Sequence, residues 1–217
     1  MRAGAPWGEP RDPDAPVVAV PGGADADLAR AAVDHPSAIL RFHPSGSSDL
    51  ARAVGLVPGG EGATVLACDL LHVDGHLDAV NAVVLGQRAD RLRWWNRARR
   101  VTVAVDGRRV MAGRATTVVV ASGQFIAGAN VVPRGHPGDG RLEVQVYSLR
   151  PGERRAMRVR LATGDHVPHP RIFQTSGKRV EVRWEDGPRP VEVDGCRLPP
   201  RATLAIEVRP GAARVLV

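Results

Sequence analysis

Lysine occurs once in the 217 residues, at position 178, so 29 of the 30 basic side chains are arginine. A bias this uniform reflects a GC-rich coding sequence more than selection for a planar donor at every site. Cysteine is nearly as scarce. Cys68 and Cys196 are the only two; they form no disulfide framework and match no zinc-ligand spacing, which points to a reducing compartment. Aromatics make up 4% of the chain, and the 43% apolar fraction is mostly Val, Ala and Leu. No apolar run has the length of a signal-peptide core or a membrane span. A cytoplasmic location is therefore expected, with any membrane contact peripheral and at the inner face. The chain is long enough to bury a sizeable core in one large domain or two small ones.

Residues 1–16 (MRAGAPWGEPRDPDAP) hold four prolines and read as a disordered lead. A strand at 17–20, a Gly turn at 22–23 and a helix near 25–34 follow. Then come a strand at 38–42, a turn at 43–46 and a helix at 47–54, the grammar of a parallel α/β layer. GLVPGGEGA (55–63) is a Gly-rich break and an expected boundary. Beyond it, Val-rich or alternating strands are predicted near 64–73, 78–85, 101–105, 109–112, 116–121, 142–148, 156–161, 179–184, 190–193 and 203–208. Asp-Gly and Ser-Gly-Lys turns separate them, which predicts an antiparallel sandwich. The units expected are thus the lead, an α/β unit over 17–62 to which 209–217 could return, and a sandwich over 63–208. One helix is predicted in the second part, ADRLRWWNRARR (89–100).

A strand–Gly–Gly–helix junction such as VVAVPGGADADLARAAV aims unpaired backbone N–H groups at a bound phosphate. Taken singly, each glycine turn fits an ordinary turn as well. The ordered set says more. That segment sits where one family has a strand, Gly-Gly-Asp-Gly-Thr and a helix. ILRFHPSGSSDLARAVGL (39–56) is similar to Pro-x-Gly-Thr-x-Asn-Asp-x-Ala-Arg with a closing Gly. SGQFIAGANVVPRGHPGDGRLEV (122–144) is similar to Asn-Gly…Gly-Gly…Pro-x-Ala-x-x-x-Asp-Gly-x-Leu. VEVDGCRL (191–198) is similar to a terminal Asp-Gly-Glu segment, and ARVLV (213–217) resembles a closing strand. From about residue 17 to the end, the chain resembles the bacterial diacylglycerol kinase-like lipid kinases, which share a fold with NAD kinases.

The resemblance implies an α+β fold, a truncated α/β nucleotide-binding-type layer followed by an antiparallel β-sandwich. It also implies ATP-dependent phosphorylation of a lipid hydroxyl at the membrane surface, with ATP and Mg2+. In the first motif Gly22 and Gly23 match, whereas Ala24, Asp25 and Ala26 stand for Asp, Gly and Thr. Asp25, one position late, reads as a helix N-cap. In the second, Pro44, Gly46, Asp49, Ala51 and Arg52 match. Ser47 keeps the hydroxyl of the family's Thr, and Ser48 loses the amide of its Asn. Gly22, Gly23, Gly46, Ser47 and Ser48 are the nucleotide-binding candidates. Asp49 is the surviving catalytic carboxylate, or else a first-turn acid favoured by the helix dipole. Asp139 is the candidate ligand of a structural magnesium, or a plain hairpin residue. Cys196 falls where the family's Glu takes the proton from the lipid hydroxyl. A cysteine is a base only as thiolate, and a small half-buried hairpin residue is the simpler alternative.

Relatives begin with a further strand–helix pair that is missing here. The α/β layer is therefore expected to lean on the sandwich, a homodimer mate or a partner chain, unless the true start lies upstream. Asp69, His72, Asp74, His76 and Asp78 crowd one strand and turn, but a β-hairpin holds its His residues too far apart to favour a metal. Residues 88–114 carry nine Arg against Asp90 and Asp106, with Trp94 and Trp95 among them. Docking on the sandwich ranks first for this pair, contact with anionic membrane lipid second and nucleic acid a distant third, so no nucleic-acid partner is expected. Two functions stay open: an ATP-dependent lipid kinase, and a catalytically inactive relative that binds lipid or a partner. The missing Asp and Glu favour the second on mechanism.

Overall fold

Strands Val17–Ala19 and Ile39–Arg41 pair in parallel, joined through helix α1 (Asp25–Asp34). The helix forms where Leu28, Ala29, Ala31 and Ala32 give it one apolar face. The Asp27 carboxylate accepts from the Ala24 N–H at 3.1 Å at the start of the helix. Helix α2 (Asp49–Val54) is capped by Ser48 and stopped by Gly55 at φ 71°. The computed structural model describes residues 7–46, 48–56 and 62–217. Ser47 and residues 57–61 of the expected domain break lie outside the described residues, as does the lead over 1–6.

One sheet joins the α/β layer to the rest. Thr203–Leu216, a strand of 14 residues, pairs antiparallel with Arg179–Trp184 through its first part and parallel with Ile39–Arg41 at its end. Thr64–Val73 runs antiparallel beside it, across a bulge between Arg209 and Ala213. Asp69, fully buried, pins that bulge: its carboxylate accepts from the Gly211 N–H at 2.8 Å and the Gly140 N–H at 2.7 Å. Among the described residues the strands of this sheet number nine. On it packs a six-stranded antiparallel sheet, ordered Ile172–Gly177, Leu142–Tyr147, Thr117–Ala121, Ala82–Gly86, Arg189–Val193, Cys196–Arg201. Val101, Val103, Val118, Val120, Val180 and Ile206 fill the space between.

Side-chain patterning explains the layers. In RVEVRW, Val180, Val182 and Trp184 are buried and the charged residues between them exposed, as one solvated face requires. Thr117–Ala121 is buried throughout because helix α3 (Arg154–Thr163) and its neighbours cover the other face. The fold is α+β, an α/β layer followed by an antiparallel sandwich. No helix among the described residues is long and apolar enough to cross a membrane.

Four expectations fail, each for a local reason. Residues 156–161, predicted as a strand, lie within α3. Met157 and Leu161 alternate with Val159 but are also four apart, so the helix buries both while leaving Val159 70% exposed. The predicted helix at 89–100 is a single 3-10 turn, Ala89–Arg91, leading into the strand Arg99–Val105. Trp94 and Trp95, ranked first as docking on the sandwich, stand 73% and 58% exposed, edge to face at 5.4 Å. Leu92 and Arg154 take the inward places instead. The Arg154 guanidinium donates to the carbonyls of Arg93, Trp94 and Asn96, which turns the loop's backbone inward and its indoles out. The lead is the fourth case: within 7–16, Glu9–Pro10 pairs with Thr64–Val73, and the Trp7 indole packs 4.5 Å from the His136 ring. An open strand edge and an indole with surface to bury outweigh the prolines.

Candidate functional site

The α/β layer and the sandwich face each other across a cavity of about 330 Å³. Asp25 and Asp49 line it from one side, and Arg88, Glu192, Asp194 and Cys196 from the other. Four carboxylates thus face one guanidinium.

Local geometry fixes each of these groups. Gly22 sits at φ 132°, and a Cβ there would meet the Asp27 carboxylate at 2.3 Å. A Cβ on Gly23 would strike the Ser45 backbone N at 2.4 Å. The Ser45 N–H and hydroxyl both donate to the Gly23 carbonyl, each at 3.0 Å. The two glycines therefore let the first loop close on the second. Gly46 is exposed, with open space where a Cβ would stand.

Asp25 does not cap its own helix, contrary to the reading of it as an N-cap; Ala24 holds that position. Its carboxylate crosses instead to α2. There it accepts from the Ser48 hydroxyl, the Asp49 N–H at 3.1 Å and the Leu50 N–H at 3.2 Å. Ser48 Oγ in turn accepts from the Ala51 N–H at 3.0 Å. Burial pushes the Asp25 carboxyl upward, against the hydrogen bonds from Ser48 and Leu50, and the charge of Asp49 adds to the rise.

Asp49 reaches the sandwich. Its carboxylate accepts from the Ala127 and Gly128 N–H groups at 2.5 and 2.8 Å. Those residues form a left-handed turn, φ 49° and 78°, joining Phe125–Ile126 to Ala129–Asn130. Successive N–H groups in such a turn make a concave anion seat. Arg52, one turn along α2, lies 4.7 Å from the centroid of the Phe125 ring. Asp49→Ala is expected to cost about 1–2 kcal/mol and to speed amide exchange at Ala127 and Gly128, read by NMR. Unchanged exchange there would remove this role for Asp49.

Asp194 turns back under the cleft. Its carboxylate accepts from the N–H groups of Val80 (2.7 Å), Asn81 (3.1 Å) and Ala82 (2.9 Å). Burial, with the Asp25 charge nearby, pushes its carboxyl up to about 7. Arg88 is fixed by two bonds to Asp90 at 2.9 and 2.8 Å and one to Glu192 at 3.3 Å. Cys196 is exposed at the cavity edge, at the head of the strand Cys196–Arg201.

The structure brings Ser48, Asp49 and Cys196 to this junction, with the glycine loops behind them. It leaves Asp139 apart: that carboxylate accepts from the Arg141 N–H at 3.0 Å, as a turn residue does. His72 pairs with Asp78 at 2.9 Å and Asp74 accepts from the Ala205 N–H at 2.8 Å. Among the described residues no group of three or more His, Cys, Asp or Glu side chains converges as metal ligands. Asp25, Asp49 and Asp194 each have both carboxylate oxygens on N–H or O–H donors. Sequence reasoning gave no role to Asp194, Glu192 or Arg88. Asp194 had a local signal, the Asp-Gly turn, but its backbone partners lie more than a hundred residues away.

An α/β layer whose final strand continues into an antiparallel sandwich, with glycine loops facing an Asp-Gly hairpin across a cleft, defines a kinase-like architecture of the diacylglycerol kinase and NAD kinase type. The model of the YegS C-terminal NAD kinase beta sandwich-like domain matches residues 71–217, and the chain belongs to that family. A structure from Bacillus anthracis str. Sterne, provisionally named a diacylglycerol kinase, is similar over 92% of this chain and 76% of its own, at 19% identity and a TM-score of 0.72. Another of the same description gives 16% identity and 0.70 over the same shares. A third from that organism, named a diacylglycerol kinase, gives 19% and 0.63 over 83% of this chain and 67% of its own. Identities this low establish the fold alone. A search of curated proteins found no match.

Proposed function

We propose that this chain uses the lipid-kinase scaffold as a binding module at a membrane surface, without phosphoryl transfer of its own. The observation that carries the reading is the place of the Asp25 carboxylate. It holds the Ser48, Asp49 and Leu50 donors that a phosphate-binding loop would turn toward its ligand. Phosphoryl transfer needs positioned phosphates and charge neutralisation, and this cleft offers an excess of carboxylates, each already engaged. By the resemblance, Cys196 would take the place of the family's base. The lipid contact is the exposed pair Trp94 and Trp95 among arginines, the composition of a surface that enters the headgroup region.

A second reading, ATP-dependent phosphorylation of a lipid hydroxyl, draws support from one feature. Asp194 titrates near neutrality in the cavity that Cys196 borders, where a general base would be effective. Gly22, Gly23, Gly46, Ser47, Ser48 and Asp49 would then hold the nucleotide, with magnesium carried in by ATP.

Incubation with γ-labelled ATP and mixed phosphatidylcholine–diacylglycerol vesicles separates the two. No transfer above background is expected, together with vesicle co-sedimentation that Trp94→Ser with Trp95→Ser lowers at least about tenfold. Transfer by the wild type, lost in Asp49→Ala, would put the kinase reading first.

A further inference from the structure

A second cavity of about 330 Å³ lies at the other end of the strand Arg189–Val193, away from the cleft. Arg97, Arg99 and Arg189 line it, Trp184 and Trp95 are among its walls, and no carboxylate does so. None of these arginines takes part in an ion pair among the described residues. Two donors are buried without a partner among the described residues, the Trp184 indole N–H and the Arg189 Nε–H. Trp184 is 2% exposed. Buried donors left unpaired are costly and rare, and two of them on residues that line one basic cavity point to an acceptor from outside.

The surroundings are strongly positive. Asp186, on the turn before Arg189, is held below the usual carboxylate range by the Arg100 N–H at 2.9 Å, with the charges of Arg100, Arg99 and Arg114 adding to it. Planar guanidinium forks match the oxygens of a phosphate. Trp95 lines the cavity and Trp94 stands beside it; their loop is held rigid by Arg154, and by Arg158 donating to the Leu92 carbonyl at 2.6 Å. Indoles at headgroup depth bring these arginines to the level of lipid phosphates.

We propose that this cavity binds the phosphate of an anionic lipid headgroup, a phosphomonoester lipid above all. The lipid source rests on the membrane-surface reading above; the phosphate chemistry does not. The test uses full-length protein with phosphatidylcholine vesicles, plain or containing phosphatidate. Phosphatidate is expected to raise partitioning by about tenfold or more, given the contribution of each arginine near an anionic surface. Arg97→Ala with Arg189→Ala is expected to remove that preference while leaving binding to plain vesicles. Arg108→Ala with Arg109→Ala, which removes equal charge from the turn of the hairpin whose opposite end, Arg99 and Ala115, lines the cavity, is expected to keep it. Arg189→Lys, retaining the charge without the fork, should fall between. Equal loss in both double variants, or no preference in the wild type, overturns the proposal. Binding of inorganic phosphate that is lost in Arg97→Ala with Arg189→Ala, but without any vesicle preference, overturns the lipid source. Because the readout is vesicle preference and not phosphoryl transfer, its failure is distinct from that of the non-transferring reading.

Discussion

Asp25→Ala is expected to destabilise the fold by about 3 kcal/mol, near 1 kcal/mol for each of the three hydrogen bonds its carboxylate accepts. For a chain of this size that corresponds to a fall in melting temperature of roughly 6–12 °C. The effect is large because the donors belong to another element: the Ser48 hydroxyl and the first N–H groups of α2 lose their partner in a buried place. Asp27→Ala, which removes only the acceptor of the Ala24 N–H at the start of α1, is expected to cost about 1 kcal/mol. Thermal unfolding of the two variants side by side gives the check. If Asp25→Ala cost no more than Asp27→Ala, the carboxylate would not be holding α2, and the Ser48, Asp49 and Leu50 donors would be free for a phosphate.

The contrast between those two aspartates shows what a sequence can carry. Asp27 acts three residues from its partner, within reach of helix-start rules. Asp25 acts across 23 residues on a neighbouring helix, and nothing in the local pattern separates it from an ordinary first-turn acid. Helix α1 and the strands around Val101, Val119 and Val182 were legible because their apolar spacing leaves one consistent way to bury them. Helix α3 was not, because Met157, Val159 and Leu161 satisfy a period of two and Met157 and Leu161 a helical one. Only the sheet face that α3 covers decides between them.

At the site, legibility followed the same division. Turn chemistry marked the glycine loops and the Asp-Gly corner, since positive φ leaves a local signature. Asp49 was visible as a carboxylate at a helix start. Its hold on Ala127 and Gly128 was hidden, because those N–H groups belong to a hairpin 78 and 79 residues away. The outward turn of Trp94 and Trp95 was equally hidden: it depends on Arg154 taking the carbonyls of their loop. Composition gave that segment its chemistry, aromatic and basic, and tertiary contacts gave it its direction.

Wild-type stability is expected to fall as pH rises from about 4 through about 7, and Asp194→Asn is expected to flatten that slope. The Asp194 carboxyl lies near 7 in the fold and near its ordinary 3.8 in the unfolded chain. Between those values the native state holds a proton that the unfolded state has released, so each rise in pH favours unfolding, by up to ~1.4 kcal/mol per unit. Above about 7 both states are ionised and the slope ends. His166, pushed down by burial, acts in the opposite sense, so the informative quantity is the difference between wild type and Asp194→Asn in guanidinium unfolding at about pH 5 and about pH 8. Asp25→Asn should narrow the window from above, because the Asp25 charge helps to raise Asp194. A slope unchanged by Asp194→Asn would mean that the carboxylate is ionised throughout. The cleft would then carry the Asp194 charge at neutral pH, and the kinase reading would lose the near-neutral base that supports it.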